Sequence, residues 1–125
     1  MTPPHTDIEA IADSPHVWRW FESAHYDEDP AEERQQKLAL LAEFCDHIGE
    51  SPSELVTGLL RITKDGDTAI RAKRREAVNT AIEEFVEKRG DTGRAAVVTG
   101  NTIRGFMVHN GIMIQGRVWR GPGSS

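Results

Sequence analysis

One cysteine in 125 residues rules out an internal disulfide, and a lone Cys45 on an apolar helix stripe reads as a small core side chain that suits a reducing interior. No apolar run approaches the ~20 residues that a membrane-spanning helix needs. The opening Met-Thr-Pro-Pro-His lacks the basic-then-apolar pattern of a secretory leader. A cytoplasmic protein without a membrane partner is therefore expected.

Chemistry is equally thin. The histidines, His5, His16, His25, His47 and His109, show no metal-ligand spacing, and Cys45 and His47 point about 200° apart on one helix. The glycines near 90–93 and 121–123 lack the strand-turn-helix setting of a phosphate loop or dinucleotide site. No nucleophile elbow is present. Asp27-Glu28-Asp29 reads as a solvated turn and cap, and Tyr26, the only tyrosine, sits beside those acids, a poor place for attack on phosphate. The expectation is a chain that is not an enzyme and uses no metal and no cofactor.

What is present is charge, unevenly placed. Residues 1–60 carry 13 acidic and 3 basic side chains, whereas residues 61–125 carry 7 and 12. Such a dipole suits a face for a polyanion, although helical domains also segregate charge by chance. With 38% hydrophobic and 28% charged residues, one globular domain can bury a real core.

Helical signals dominate the chain. Ser14-Pro15 starts a helix carrying Val17, Trp18 and Phe21, with Trp18 and Trp20 read as core or rim. Asp29 and Pro30 are expected as N-cap and first residue of a second helix, with Glu32 and Glu33 in its first turn. Its stripe is Leu38, Leu41, Ala42, Phe44, Cys45 and Ile48, and Gly49 ends it. Ser51-Pro52-Ser53-Glu54 is a capping box opening a third helix with Leu55, Val56, Leu59 and Leu60. After a turn at Lys64–Asp67, a fourth helix is expected from Asp67 to Arg89. A fifth follows an Asp91 or Thr92 cap, runs to Asn110 and stops at Gly111. On that helix Ala95, Ala96, Thr99, Ile103, Phe106 and Met107 share one face; Arg94, Asn101, Arg104 and Gly105 share the other. Each of Gly100 and Gly105 costs a helix about 1 kcal/mol relative to alanine, which suggests close approach by a nucleic-acid backbone or a neighbouring helix, the alternative being simple tolerance at an exposed site.

These elements predict an all-α fold, an orthogonal bundle of four to five helices. Residues 1–13 would be a flexible arm with one turn around Ile8–Ala12, residues 14–114 the helical domain, and residues 115–125 a linker or tail. On the fourth helix, Arg71, Arg74 and Arg75 continue the line of the apolar stripe of Ala77, Val78, Ala81, Ile82, Phe85 and Val86, so that helix is expected to overhang the core and offer arginines to a partner.

Two segments resemble a known family. The first runs from Ser14-Pro-His-Val-Trp-Arg-Trp-Phe through Leu41-Ala-Glu-Phe-Cys-Asp-His-Ile-Gly-Glu-Ser-Pro-Ser-Glu-Leu55. The second is Thr102-Ile-Arg-Gly-Phe-Met-Val-His-Asn-Gly-Ile112. Together, over residues 14–114, they resemble the N-terminal core-binding (SAM-like) domain of tyrosine recombinases, the phage-integrase family, especially its archaeal members. The resemblance implies a helical clamp on one side of duplex DNA for recombination or integration, with the tyrosine nucleophile in a C-terminal catalytic domain that nothing here matches. Implied partners are double-stranded DNA, that catalytic domain and other recombinase protomers. Val108 departs from the pattern, standing where relatives often carry a basic residue. The expected DNA-binding residues are Arg71, Lys73, Arg74 and Arg75 on the fourth helix and Arg94, Asn101 and Arg104 on the fifth. Arg34 and Lys37 join them because the second helix faces DNA in the family. The rival reading is a helical protein-protein interaction module that does not bind DNA, favoured by the acidic first half.

Overall fold

The structure, a computed structural model, describes residues 11–114. Five α-helices lie wholly within them: α1 (Pro15–Ser23), α2 (Ala31–Ile48), α3 (Pro52–Gly58), α4 (Ala72–Arg89) and α5 (Gly93–Val108). A 3-10 turn at Tyr26–Glu28 joins α1 to α2, and a two-stranded antiparallel hairpin, β1 (Leu60–Ile62) and β2 (Thr68–Ile70), joins α3 to α4. The fold is all-α and bundle-like, as the hydrophobic periodicity implies.

Local chemistry explains most boundaries. Pro15 occupies the first position of α1, behind Ser14 as N-cap, where a missing N–H costs nothing. Pro30, expected inside α2, is instead its N-cap; Asp29 caps nothing and holds Lys37 at 3.4 Å. Glu32 and Glu33 fill the first turn of α2, and Gly49 closes it at φ 77, a left-handed conformation that glycine adopts without strain. The capping box of α3 is complete: Glu54 N–H donates to Ser51 Oγ at 3.1 Å, and Ser51 N–H donates to Glu54 Oε1 at 2.9 Å.

Two boundaries differ from expectation, and one cause explains both. Helix α3 stops at Gly58 and α4 begins at Ala72, not Asp67. The intervening residues pair Leu60 with Ile70, Arg61 with Ala69 and Ile62 with Thr68. A turn closes the ribbon: Gly66 N–H donates to Thr63 O at 3.0 Å and Thr63 N–H to Asp67 O at 2.7 Å, with Gly66 at φ 86. This is the three-residue loop with a glycine bulge that a hairpin favours. Only the base of the hairpin, Leu60 and Ile70, packs against the core.

The core lies where α5 meets α1, α2 and α4. Trp20, Phe44, Phe106, Leu41, Leu55, Leu59, Ile82, Ile103, Met107 and Ile112 are fully buried. Trp20 makes edge-on contacts with Phe21, Tyr26 and Phe106 at centroid distances of 5.3, 5.7 and 5.6 Å, a geometry worth about 0.5–1.5 kcal/mol per pair beyond burial. Trp18, by contrast, is exposed. Ile11 is buried, so the core reaches ahead of residue 14; residues 8–10 of the turn expected around Ile8–Ala12, and the expected tail at 115–125, lie outside the described residues.

Polar contacts tie α1 to its neighbours. His16 Nδ1 lies 3.0 Å from Ser53 Oγ, and Asn110 Nδ2 donates to the His16 carbonyl at 3.0 Å. Burial, and then the Arg19 charge, lower the His16 pKa from 6.5. A lowered folded-state pKa means that protonation favours the unfolded chain. The stability His16 contributes is thus complete above pH 6.5 and is lost as pH falls from there through the lowered value. His16→Gln is expected to flatten the drop in urea midpoint between pH 7.5 and pH 5.5. Ser51→Ala, which leaves the Glu54 amide without its acceptor, is expected to cost about 1 kcal/mol with an unchanged denaturant slope.

Candidate nucleic-acid interface

The starts of α2 and α3 carry acids in their first turns, whereas those of α1, α4 and α5 do not. The N-cap of α4 is Arg71, which offers no side-chain cap, and what sets this start apart from α1 and α5 is the four cations gathered there. The amides of Ala72, Lys73 and Arg74 precede the first intrahelical bond, which Arg75 N–H makes to Arg71 O at 2.9 Å. Arg71, Lys73, Arg74 and Arg75 therefore crowd the positive end of an 18-residue helix. Each cation there opposes the macrodipole by about 0.3–1 kcal/mol, where an anion would gain as much.

Neighbouring elements hold this end in place. Arg71 N–H donates to Leu59 O at 2.7 Å and Arg71 Nε to Leu60 O at 3.2 Å, clasping the hairpin base. Arg74 forms an ion pair with Glu50 at the end of α2. Arg75 Nη1 donates to Met113 O at 3.1 Å, closing one side of a cleft of about 470 Å³. Lys73 is exposed and has no ion-pair partner among the described residues. Arg61 and Lys64, on the adjoining hairpin, are likewise exposed and unpaired among the described residues. The sequence places helices up to Leu60 and again from Asp67, with Lys64 in the turn between them, so neither cation stands out as a contact. Asp65-Gly66 between apolar residues, taken as the tip of a hairpin, is the signal that finds them.

The other expected contacts do not converge here. Arg34 is half-buried beside the start of α2, and Lys37 is engaged with Asp29 and lies 4.3 Å from the Tyr26 ring centroid. At 1.5 Å rise per residue, they stand roughly 20 Å from the Glu50 end of α2 where Arg74 is anchored. Arg94 is exposed at the start of α5, which adjoins the end of α4 and so lies about 25 Å from the Arg71–Arg75 end.

Arg104 needs a correction: it is buried, only 3% exposed, and cannot touch a phosphate. Its Nε donates to Asn79 Oδ1 at 2.7 Å, its Nη1 to Asn101 Oδ1 at 3.2 Å and its Nη2 to Glu83 Oε1 at 2.8 Å. Asn101 is therefore part of the same network. The wheel assigned Arg104 to a solvent face because it allowed α5 one partner, whereas three helices surround it. The same packing accounts for Gly100: a Cβ there would lie 2.9 Å from Arg104 Nη1, so the close approach is by a protein side chain. A Cβ on Gly105 would meet only ordinary contact, 3.7 Å from Trp20 Nε1, and nothing in the packing requires a glycine there.

No protein family, characterised protein or solved structure matches this chain.

Two predictions separate structural groups from candidate contacts. Arg104→Ala removes three hydrogen bonds, but Glu83 keeps much of its solvation at 42% side-chain exposure. The expected loss is about 2–3 kcal/mol in chemical denaturation, with ligand affinity unchanged under conditions where the variant is folded. Burial, and secondarily the Glu54 charge, push the Cys45 thiol up to about 12. It should thus stay neutral and resist thiol-exchange reagents at pH 8 until urea unfolds the chain.

Proposed function

We propose that this domain binds duplex DNA through the start of α4, as the core-binding half of a tyrosine recombinase. The observation that carries the reading is the uncapped, acid-free first turn of α4 with Arg71, Lys73, Arg74 and Arg75 around it. A DNA phosphate is the ligand class such an end accepts, through free amides, dipole and cations together. The resemblance to core-binding domains, carried by residues 14–55 and 102–112, supports the same partner. Many of its apolar positions, among them Trp20, Phe44, Cys45, Phe106 and Ile112, are core residues.

Binding here is mainly electrostatic. Each phosphate neutralised releases condensed counterion, so affinity falls with salt, by about 0.9 in the log-log slope per contact. The acidic surface of residues 22–33 faces no such role and would hold the duplex to the α4 end by repulsion elsewhere. In this proposal the domain positions DNA, strand exchange belongs to a separate catalytic domain, and other protomers complete the assembly in a cytoplasmic, nucleoid-associated setting.

A second reading rests on a different feature. An apolar cleft of about 220 Å³ runs beside the exposed Trp18, lined by Val17, Phe21 and Leu38 with Asp27 and Arg34 at its margin. Such a cleft favours a protein-protein interaction module.

Fluorescence anisotropy of a labelled duplex of about 30 base pairs, titrated at low and moderate salt, decides between them. The DNA reading expects binding that weakens steeply with salt. Arg74→Glu/Arg75→Glu should lower affinity at least roughly tenfold, and Lys73→Glu, at an exposed position without ion pairs among the described residues, should do so without changing the thermal melt. Binding by none of these proteins at low salt, or equal binding by all of them, would overturn it.

A further inference from the structure

The hairpin β1–β2 exposes apolar, cationic and acidic side chains together. It pairs only three residues on each strand. On one face Leu60 and Ile70 at the base pack against the core, while Ile62, two residues further out on that face, is 77% exposed. Arg61 points to the opposite face, and Lys64 sits in the turn. Asp65 and Asp67 offset those two cations, so the hairpin as a whole adds no net positive charge. Its use is thus not to strengthen general attraction to phosphate.

The hairpin is also fixed relative to the α4 end. Arg71, the N-cap of α4, bonds through its amide and its guanidinium to Leu59 O and Leu60 O. A ligand phosphate at the first turn of α4 therefore lies beside the base of the ribbon, and the outer pairs extend beyond it by about 3.4 Å per residue.

Resting on the reading of α4 as a phosphate-binding end, we infer that the hairpin enters the major groove next to that phosphate and reads base edges there. A two-stranded ribbon fits a groove about 12 Å wide. Entering tip first, the ribbon turns one face to each side along the groove: Ile62 on one face suits a thymine methyl, the Arg61 guanidinium on the other suits guanine O6 and N7, and the turn carboxylates suit a cytosine amine. The α4 end supplies affinity without sequence information, and the hairpin supplies sequence preference without net charge.

The test is selection from a randomised duplex pool by the wild-type chain, by Arg61→Ala/Ile62→Ala and by Lys73→Glu. Both hairpin positions are exposed, and thermal melts of the variants check that folding is unchanged. The expected result is a motif enriched by the wild type, with a preference of roughly 5- to 100-fold at two or three adjacent base pairs that the hairpin variant loses. The hairpin variant should keep the salt dependence to within about one phosphate contact, whereas Lys73→Glu should weaken binding to every sequence alike. The same motif from wild type and hairpin variant overturns the inference and leaves the DNA reading standing. Salt-sensitive binding with no motif at all does the same. Failure of the wild type to bind any duplex at low salt overturns both.

Discussion

Enclosing α5 is the constraint on which the rest of this domain depends. The helix packs against α1, α2 and α4 at once, so residues on nearly all its sides must leave water. Ile103, Phe106 and Met107 satisfy that demand directly. Arg104 satisfies it differently: its guanidinium is paired with Glu83 and hydrogen-bonded to Asn79 and Asn101, a solution that costs less than a bare buried charge. Gly100 makes the room. Because α4 supplies two of these partners, Asn79 and Glu83, the register of α4 against α5 is set by a charged group as well as by Ile82 and Val86, which lie against Gly100.

That register has a consequence at the other end of α4. With its middle held against α5, the first turn of α4 projects beside the end of α2, where Glu50 meets Arg74, and beside the segment after α5, where the Met113 carbonyl meets Arg75. The cations are thereby brought to one end of the bundle and kept apart from the acidic start of α2. The charge asymmetry visible along the chain becomes a spatial one through the antiparallel packing of α4 and α5. An arginine cluster distributed around the helix barrel would have no such direction.

Buried polar groups need partners, and this requirement explains why some side chains are structural and others are candidates for contact. Arg104 and Asn101 are committed to the interior. Arg71 divides its donors between holding the hairpin and facing solvent. Lys73, Arg61 and Lys64 make no ion pair among the described residues. A surface arginine paired in high dielectric gains only ~0–1 kcal/mol, so the Arg74 pair with Glu50 positions the side chain more than it removes it from use.

Much of the local structure was legible from residue order alone. Ser14-Pro15, the Ser51-to-Glu54 box, Gly49 and the stripe from Leu38 to Ile48 act within a few residues, through caps, fixed φ and periodic burial, and they determine where α1, α2 and α3 lie. The hairpin was also encoded locally, in Asp65-Gly66 between Ile62 and Thr68-Ala69-Ile70, but strands of three residues carry too little periodicity to compete with flanking helices. The fate of Arg104 could not be read that way. A wheel places a side chain at an angle and says nothing of how many neighbours the helix has. Only the packing of three helices around α5 decided that this arginine is interior, that Gly100 yields to it, and that Arg34, Lys37 and Arg94 stand far from Arg71–Arg75. Residue order determined the elements because caps and turns are short-range. The tertiary structure alone decided which charges share a surface, because that depends on contacts between residues distant in the chain.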